Sequence, residues 1–284
     1  MSTYTLLLRL EGLLQSWGVR SRFNDRDSLP RPTKSGVIGL LAAADGHDRD
    51  EGNGDFGPYL PLARLAELRF GVRADRPGEL IEDFQTAGGG NYPLRPRDLI
   101  LDPERAELAA PALEDATGPT FTRDVAVSIP RWYGAPKNIA PNPVSGELQA
   151  GNKHRHPHIS RRWYIADGAF LAGVESTDRR LLAHLASRLD TPQRLLGLGR
   201  RSCAPSHPIN AGIRPGPLED VLATTPLLPR PAAPACAAWF EVPPHTPGSV
   251  PHNDQPVSFS SRHRTHQPRW EQRTTLTPPA GAST

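Results

Sequence analysis

The chain's 284 residues suffice for one large or two small domains, but a hydrophobic fraction of 37% with 32 prolines and 25 glycines leaves much of it as loop. Two cysteines exclude a disulfide framework, and Met1 to Glu11 lack a signal-peptide pattern; with no apolar run of membrane-spanning length, a cytoplasmic chain with no membrane partner is expected. The net charge of +3 hides +3 over residues 1–40, −8 over 41–130 and +8 over 131–284, so an acidic middle between basic ends points to a polyanion on one surface and a different partner on another.

Tyr4 to Leu10 is a continuous apolar run that reads as a central strand buried on both faces, breaking at Glu11-Gly12. In the loop that follows, Gln15 and Ser16 offer hydrogen bonds and Trp17 a stacking plane. Arg20, Arg22 and Arg26 then make the loop basic. Aromatic residues interleaved with arginine suit splayed single-stranded RNA, while a Trp beside Gly also serves as a core plug. Arg31-Pro32-Thr33-Lys34-Ser35-Gly36 next turns into a short helix, with Thr33 or Ser35 as its cap. Val37, Leu40, Leu41 and Ala44 recur at i, i+3, i+4, i+7 and share one face. A helix start flanked by Arg31 and Lys34 suits a phosphate; the alternative is a core helix with solvated charges. The stretch lacks the G-x-x-x-x-G of a Walker A loop.

Asp45 to Pro61 is acidic and Gly-rich, a surface loop. Leu68, Phe70 and Val72 alternate with Arg69, Gly71 and Arg73 as a half-buried strand, and Arg76-Pro77-Gly78 turns into a hairpin partner over Glu79–Phe84. Strand, helix, strand, strand opens a ferredoxin-like β-α-β-β-α-β unit, an α+β fold. Residues 85–160 break the pattern, and a structureless loop of that length is improbable in a compact domain. They read as a protruding insertion with short strands near Leu99 and Val125–Ile129. His154, His156 and His158 would share one face of a strand, but no fourth ligand accompanies them and no metal or other cofactor is expected.

Strand material returns over Ser160–Ala166 and Ala169–Val174, interrupted at Asp167-Gly168. Thr177 or Asp178 caps a helix reaching about Leu189, with Leu181, Leu182, Leu185 and Leu189 as its core stripe. Then Gly197-Leu198-Gly199-Arg200-Arg201-Ser202 forms a Gly-rich turn running into two arginines and a serine, which would let a phosphodiester approach the backbone. A short helix at Leu218–Ala223, a strand at Ala235–Val242 and a basic segment from Arg262 to Arg273 complete the chain. Of the 33 basic residues only Lys34, Lys137 and Lys153 are lysines. Arginine forks grip phosphate better than lysine does, although a general bias toward Arg, Ala, Pro and Gly gives the same count.

Several of these stretches, in order, resemble the CasD family, subunits of the type I-E CRISPR surveillance complex Cascade. They are Leu14-Gln15-Ser16-Trp17-Gly18, Pro32 to Leu41, Asp83-Phe84-Gln85-Thr86, Trp163 to Phe170 and Leu198 to Pro205. The resemblance implies a RAMP-type, RRM-like core with a thumb-like β-hairpin insertion, a Gly-rich loop and additional C-terminal strands. The corresponding division is 1–84 and 161–275 for the core, 85–160 for the insertion and 276–284 for a disordered tail. It further implies a non-catalytic subunit that caps the 5′ handle of crRNA and contacts the CasC backbone and the CasA large subunit, meeting target DNA only through the complex. RNA contacts are expected from Gln15, Ser16, Trp17, Arg20, Arg31, Lys34, Ser35, Gly197, Gly199, Arg200, Arg201 and Ser202. Phe84-Gln85-Thr86 departs from the Tyr-His-Thr type sequence frequent in the family. Two other readings stand beside this one. A metal-independent endoribonuclease would draw its acid–base groups from Tyr133, Lys137 and His154. A general single-stranded RNA module of RRM type would ordinarily carry an RNP-like aromatic signature, which is missing here.

Overall fold

The structure is a computed structural model that describes residues 2–18, 21–22, 25–48, 59–87, 90–91, 139–141, 148–150, 154–155, 158–260 and 262–281. The strands expected near Leu99 and Val125–Ile129 lie outside these residues, as do Arg20, Tyr133, Lys137 and His156. The strands are β1 (Tyr4–Gln15), β2 (Ser21–Arg22), β3 (Asp25–Arg26), β4 (Arg69–Arg76), β5 (Glu79–Ala87), β6 (Gly90–Asn91), β7 (Ile139–Pro141), β8 (Leu148–Ala150), β9 (His154–Arg155), β10 (His158–Ser176), β11 (Asn210–Pro215), β12 (Cys236–Val242), β13 (Val250–Ser258) and β14 (Thr265–Leu276). The helices are α1 (Lys34–Asp45), α2 (Leu62–Ala66), α3 (Arg179–Asp190) and α4 (Leu218–Thr224).

The chain forms two compact units, one from Met1–Asp83 with Arg162–Thr284 and the other from Phe84–Arg161. The larger unit is built on an antiparallel sheet in the order β11-β1-β10-β4-β12-β14-β13. β1 lies second from one edge, between β11 and β10, and is buried on both faces as its apolar run predicts, with Leu6, Leu8 and Leu10 in the main core and Leu7 in a second one. It does not break at Glu11-Gly12: β1 continues to Gln15, paired with Ile165 of β10. Glu11 is tolerated in the sheet because Arg9 and Arg76 neutralise it, with Arg76 Nη2 donating to its carboxylate at 2.9 Å. Likewise β10 is one strand of 19 residues, and the expected interruption is a local distortion within it. Asp167 adopts φ +51° there, and the pairing with β4 shifts at Ala169/Phe170.

α1 and α3 cover one face, burying Val37, Ile38, Leu41, Leu182 and Leu185 with the even-numbered leucines of β1. Thr33 caps α1, its hydroxyl accepting from Gly36 N–H at 3.2 Å, and Asp178 caps α3 by accepting from the N–H groups of Arg180 and Leu181. Such caps contribute about 1 kcal/mol each. The other face of β4, read from the sequence as solvated, is covered by α4, and Leu218, Val221 and Leu222 meet Leu7, Leu171 and Phe240 there. This covering buries Arg73 completely. Its guanidinium is bidentate to Asp75 at 2.6 and 2.8 Å and also donates to the carbonyls of Leu222, Thr225 and Pro226.

The C-terminal strands β12, β14 and β13 extend the sheet beyond β4, and β13 forms its outer edge with prolines at 251 and 256. After β14, where the sequence reading expects a disordered tail, Pro279 accepts through its carbonyl from the Leu227 N–H at 3.0 Å. In the smaller unit, β6 pairs with β9, β7 pairs with β8, and Arg161 lies 5.9 Å over the Phe84 ring.

Candidate functional site

A cleft of about 370 Å³ opens where distant stretches of the larger unit converge. Its lining comes from Ser16, Trp17 and Gly18 after β1, Arg26 and Asp27 at β3, Thr33, Ser35 and Gly36 at the start of α1, Gly199 and Arg200 of the Gly-rich turn, and Asn253, Arg264 and His266 at β13 and β14. Local chemistry explains the convergence. Gln15, at the buried end of β1, donates to the carbonyls of Leu10 and Gly168 at 3.0 and 2.8 Å and accepts from Trp17 Nε1 at 3.0 Å. The indole is thereby locked in place, 1% exposed, and α1 rests directly on it. A Cβ at Gly36 would stand 2.7 Å from Trp17 Cε3, so the first turn of the helix needs glycine to approach this closely. On the other side, Gly199 has φ +84° and its missing Cβ would sit 1.8 Å from the Ser16 carbonyl oxygen. Ser16 N–H donates to the Leu198 carbonyl at 3.0 Å, which stitches the turn to the end of β1.

The charges beside α1 do different work from that expected. Lys34 is 1% exposed, its Nζ ion-paired with Glu241 at 2.9 Å, and its backbone N–H donates to Asp254 Oδ2 at 2.8 Å. The positive end of the helix therefore already holds an anion, the Asp254 carboxylate, where the sequence pattern placed a phosphate. Arg31, also buried, pairs with Glu271 and lies 4.8 Å over the Trp239 ring. Arg269 completes the set, with Nη2 donating to Asp254 at 3.0 Å and to Glu271 at 2.9 Å. Three cations and three carboxylates thus balance between α1 and the strands β12–β14. Burial lowers the pKa of both Arg31 and Lys34, and the facing carboxylates counter that shift. For Arg269 burial acts in the same direction, but Asp254 and Glu271 outweigh it and the pKa rises. Arg31 and Lys34 are in this structure a foundation that joins the helix to the C-terminal strands, and the expectation that they face a ligand is corrected by their burial.

Arg200 is a clamp. Its Nη2 donates to the carbonyls of Arg26 and Asp27 at 3.0 and 3.3 Å, and its guanidinium lies 4.8 Å over the Tyr164 ring. It ties the Gly-rich turn to β3 across the cleft wall. Of the twelve residues expected to touch RNA, Ser16, Trp17, Ser35, Gly199 and Arg200 line the cleft. Gln15, Arg31 and Lys34 lie buried beneath it. Gly197, Arg201 and Ser202 belong to the turn without lining the cleft, Arg201 and Ser202 being exposed. Arg20 falls outside the described residues.

Asp27, Asn253 and His266 escaped sequence reasoning as cleft residues. The polar run His252 to Gln255, between prolines 251 and 256, carries no strand periodicity, so nothing local marks β13. Burial, reinforced by Arg264, holds the His266 imidazole below its ordinary pKa of 6.5, with Asp254 opposing. Burial and Arg264 both favour the neutral ring. Among the described residues no cluster of three or more His, Cys, Asp or Glu could hold a metal ion, and no helix is long and apolar enough to cross a membrane.

The cleft, lined by Arg26, Arg200, Arg264 and small polar groups, is set on an antiparallel sheet flanked by helices, an α+β arrangement. The profile of the family described as CRISPR-associated protein (Cas_Cas5) matches residues 5–271, and the chain belongs to this family. It is 26% identical over 210 residues to the CRISPR system Cascade subunit CasD of Escherichia coli (strain K12), covering 73% of this chain and 70% of that one. Among solved structures, it is similar to a chain of a CRISPR RNA-guided surveillance complex, with a TM-score of 0.61 and 26% identity over 97% of this chain and 91% of the other. A crystal structure of a Cas protein matches with a TM-score of 0.60 and 29% identity, over 98% of both chains.

Proposed function

We propose that the chain is the non-catalytic subunit that caps the 5′ handle of crRNA in a Cascade-type complex in the cytoplasm, acting in antiviral defence. It would join the CasC backbone to the CasA large subunit and meet target DNA only through the assembly. The observation that carries this reading is the cleft itself, where Arg26, Arg200 and Arg264 surround backbone brought close by Gly36 and Gly199. Phosphate recognition needs that combination of donors and access. Family membership and the likeness to CasD and to a surveillance-complex chain supply the context. We read β1-α1-β4-β10-α3-β11 as a ferredoxin-like core, since its strands lie in the order β11-β1-β10-β4. The unit Phe84–Arg161 would be the thumb that contacts the neighbouring backbone subunit.

The test is co-expression with the other complex subunits and a repeat–spacer RNA. Arg26→Ala with Arg264→Ala should lower the yield of complex-bound crRNA and leave its handle open to nuclease, the more so at higher salt. Normal yield and normal handle protection would refute the assignment. The purified chain should leave a repeat hairpin uncut, with or without EDTA. Specific cleavage abolished by a point change in this chain would establish the endoribonuclease reading instead.

A further inference from the structure

Away from the cleft, two residues with side chains hold a backbone conformation that glycine adopts freely. Asp167, in the distortion of β10, has φ +51°, and Arg230, in the loop between α4 and β12, has φ +53°. A side chain in this region is strained and persists only where its surroundings dictate it. One guanidinium does so here. Arg76 Nε donates to the Asp167 carbonyl at 2.7 Å, Nη1 to the carbonyls of Pro229 and Arg230 at 3.0 Å each, and Nη2 to Glu11 at 2.9 Å. Gly78 presses on the same distortion, its missing Cβ standing 2.3 Å from the Ala166 carbonyl oxygen. The outcome is display. The side chains of Asp167 and Arg230 are 65% and 74% exposed, and their charged ends lie 3.9 Å apart, an ion pair too open to water to offset the strain. Leu13 is 82% exposed and stands opposite Asp167, since the two fall between the pairs Gly12–Gly168 and Leu14–Ala166.

Glycine would meet both backbone demands at no cost. Side chains kept in strained positions and left in water serve something outside the chain. An exposed leucine alone is ordinary, but here it stands beside two displayed charges of opposite sign on a backbone that Arg76 holds still. A fixed backbone spares part of the ordering cost of docking. An apolar side chain with a cation and a carboxylate next to it is complemented by a protein surface that carries an apolar socket and the opposite charges. A phosphate fits less well, because the Asp167 carboxylate repels it and Arg9 and Arg76 are already engaged with Glu11. We infer that Leu13, Asp167 and Arg230 form a docking surface for another protein subunit of the complex. Leu13 enters an apolar socket there, Arg230 faces a carboxylate and Asp167 faces a cation. The inference rests on the reading of this chain as a complex subunit and gives it a contact face carried by the larger unit alone.

Glycine substitutions separate display from folding. Asp167→Gly with Arg230→Gly relieves both strained positions, so the urea midpoint of the free full-length chain should stay at or above the wild-type value. The same double variant, and separately Leu13→Asp, is then co-expressed with the other complex subunits and a repeat–spacer RNA. Each should lower the amount of one protein subunit retained on this chain after a salt wash by about tenfold, the scale of losing one central contact. A merely structural role would move stability and retention downward together. Leu13 is exposed, so Leu13→Asp keeps the fold and the test does not depend on the double variant alone. Three results would each overturn the docking surface: a lowered midpoint for the double variant, full retention of every protein subunit by either variant, or loss of crRNA with all protein subunits kept, which would make the patch an RNA contact. A wild-type chain that retains no other subunit would instead refute the reading of this chain as part of a complex.

Discussion

Gly199→Ala and Gly212→Ala make an informative pair, because both glycines have a positive φ and they differ in what surrounds them. Their φ values are +84° and +90°, a region that costs an alanine about 1–2 kcal/mol. Reduced freedom of the unfolded chain returns up to about 1 kcal/mol. Around Gly212 nothing lies within 4 Å of the added Cβ, so Gly212→Ala should cost only that difference, about 1 kcal/mol. At Gly199 the same Cβ falls 1.8 Å from Ser16 O and 2.7 Å from Ser16 C, both of them backbone. Relief to an ordinary carbon–oxygen contact of about 3.3 Å moves the turn by roughly 1.5 Å. That breaks the 3.0 Å bond from Ser16 N–H to Leu198 O and loosens the turn over Trp17. The lost bond and packing add about 2 kcal/mol, for a total near 3 kcal/mol. Urea unfolding of the full-length chain, followed by far-UV circular dichroism, measures both variants. Costs within about 0.5 kcal/mol of each other would show that the close approach of the turn to β1 is not a determinant of stability.

Two further outcomes follow from buried charge. Arg73→Met should cost about 3–5 kcal/mol, because Asp75 loses its buried bidentate partner and three carbonyls lose a donor, whereas Arg64→Met at the surface should change the urea midpoint little. Equal effects would refute the role given to Arg73. Burial opposes ionisation of Glu11, but hydrogen bonds from Arg9 and Arg76 outweigh it and hold the carboxyl below its ordinary value of 4.5. Its stabilising contribution is therefore present above pH 4.5 and is lost as the pH falls through the lower, folded-state value. Glu11→Gln should flatten the loss of stability below that pH, and an unchanged acid limb in thermal melts at graded pH would contradict this.

What the sequence showed depended on whether the deciding contacts were local. α1 and α3 were legible because their caps, Thr33 and Asp178, and their leucine stripes are written within a dozen residues. The apolar run of β1 was legible too, but not its continuation. Glu11 reads as a break until Arg76, 65 residues away, is known to neutralise it. The covered face of β4 was hidden for a similar reason, since Arg73 looks solvated until α4 is placed over it. The site shows the same division. Ser16, Trp17, Ser35, Gly199 and Arg200, singled out by residue type beside turns, line the cleft. Lys34 and Arg31 were misplaced because their partners Glu241 and Glu271 stand more than 200 positions away. Asn253 and His266 had no local signal, since the pairing of β13 with β14 joins residues whose sequence carries no strand periodicity.

The outer edge strand β13 has a consequence for the behaviour of the isolated protein. Val250 and Val257 are exposed along it, the kind of residue that would let one molecule's sheet recruit another's. Prolines 251 and 256 stand directly beside these valines and have no N–H to offer a newcomer. At the opposite edge, Pro215 ends β11 in the same way. Both rims of the sheet are thus poor templates for a further strand.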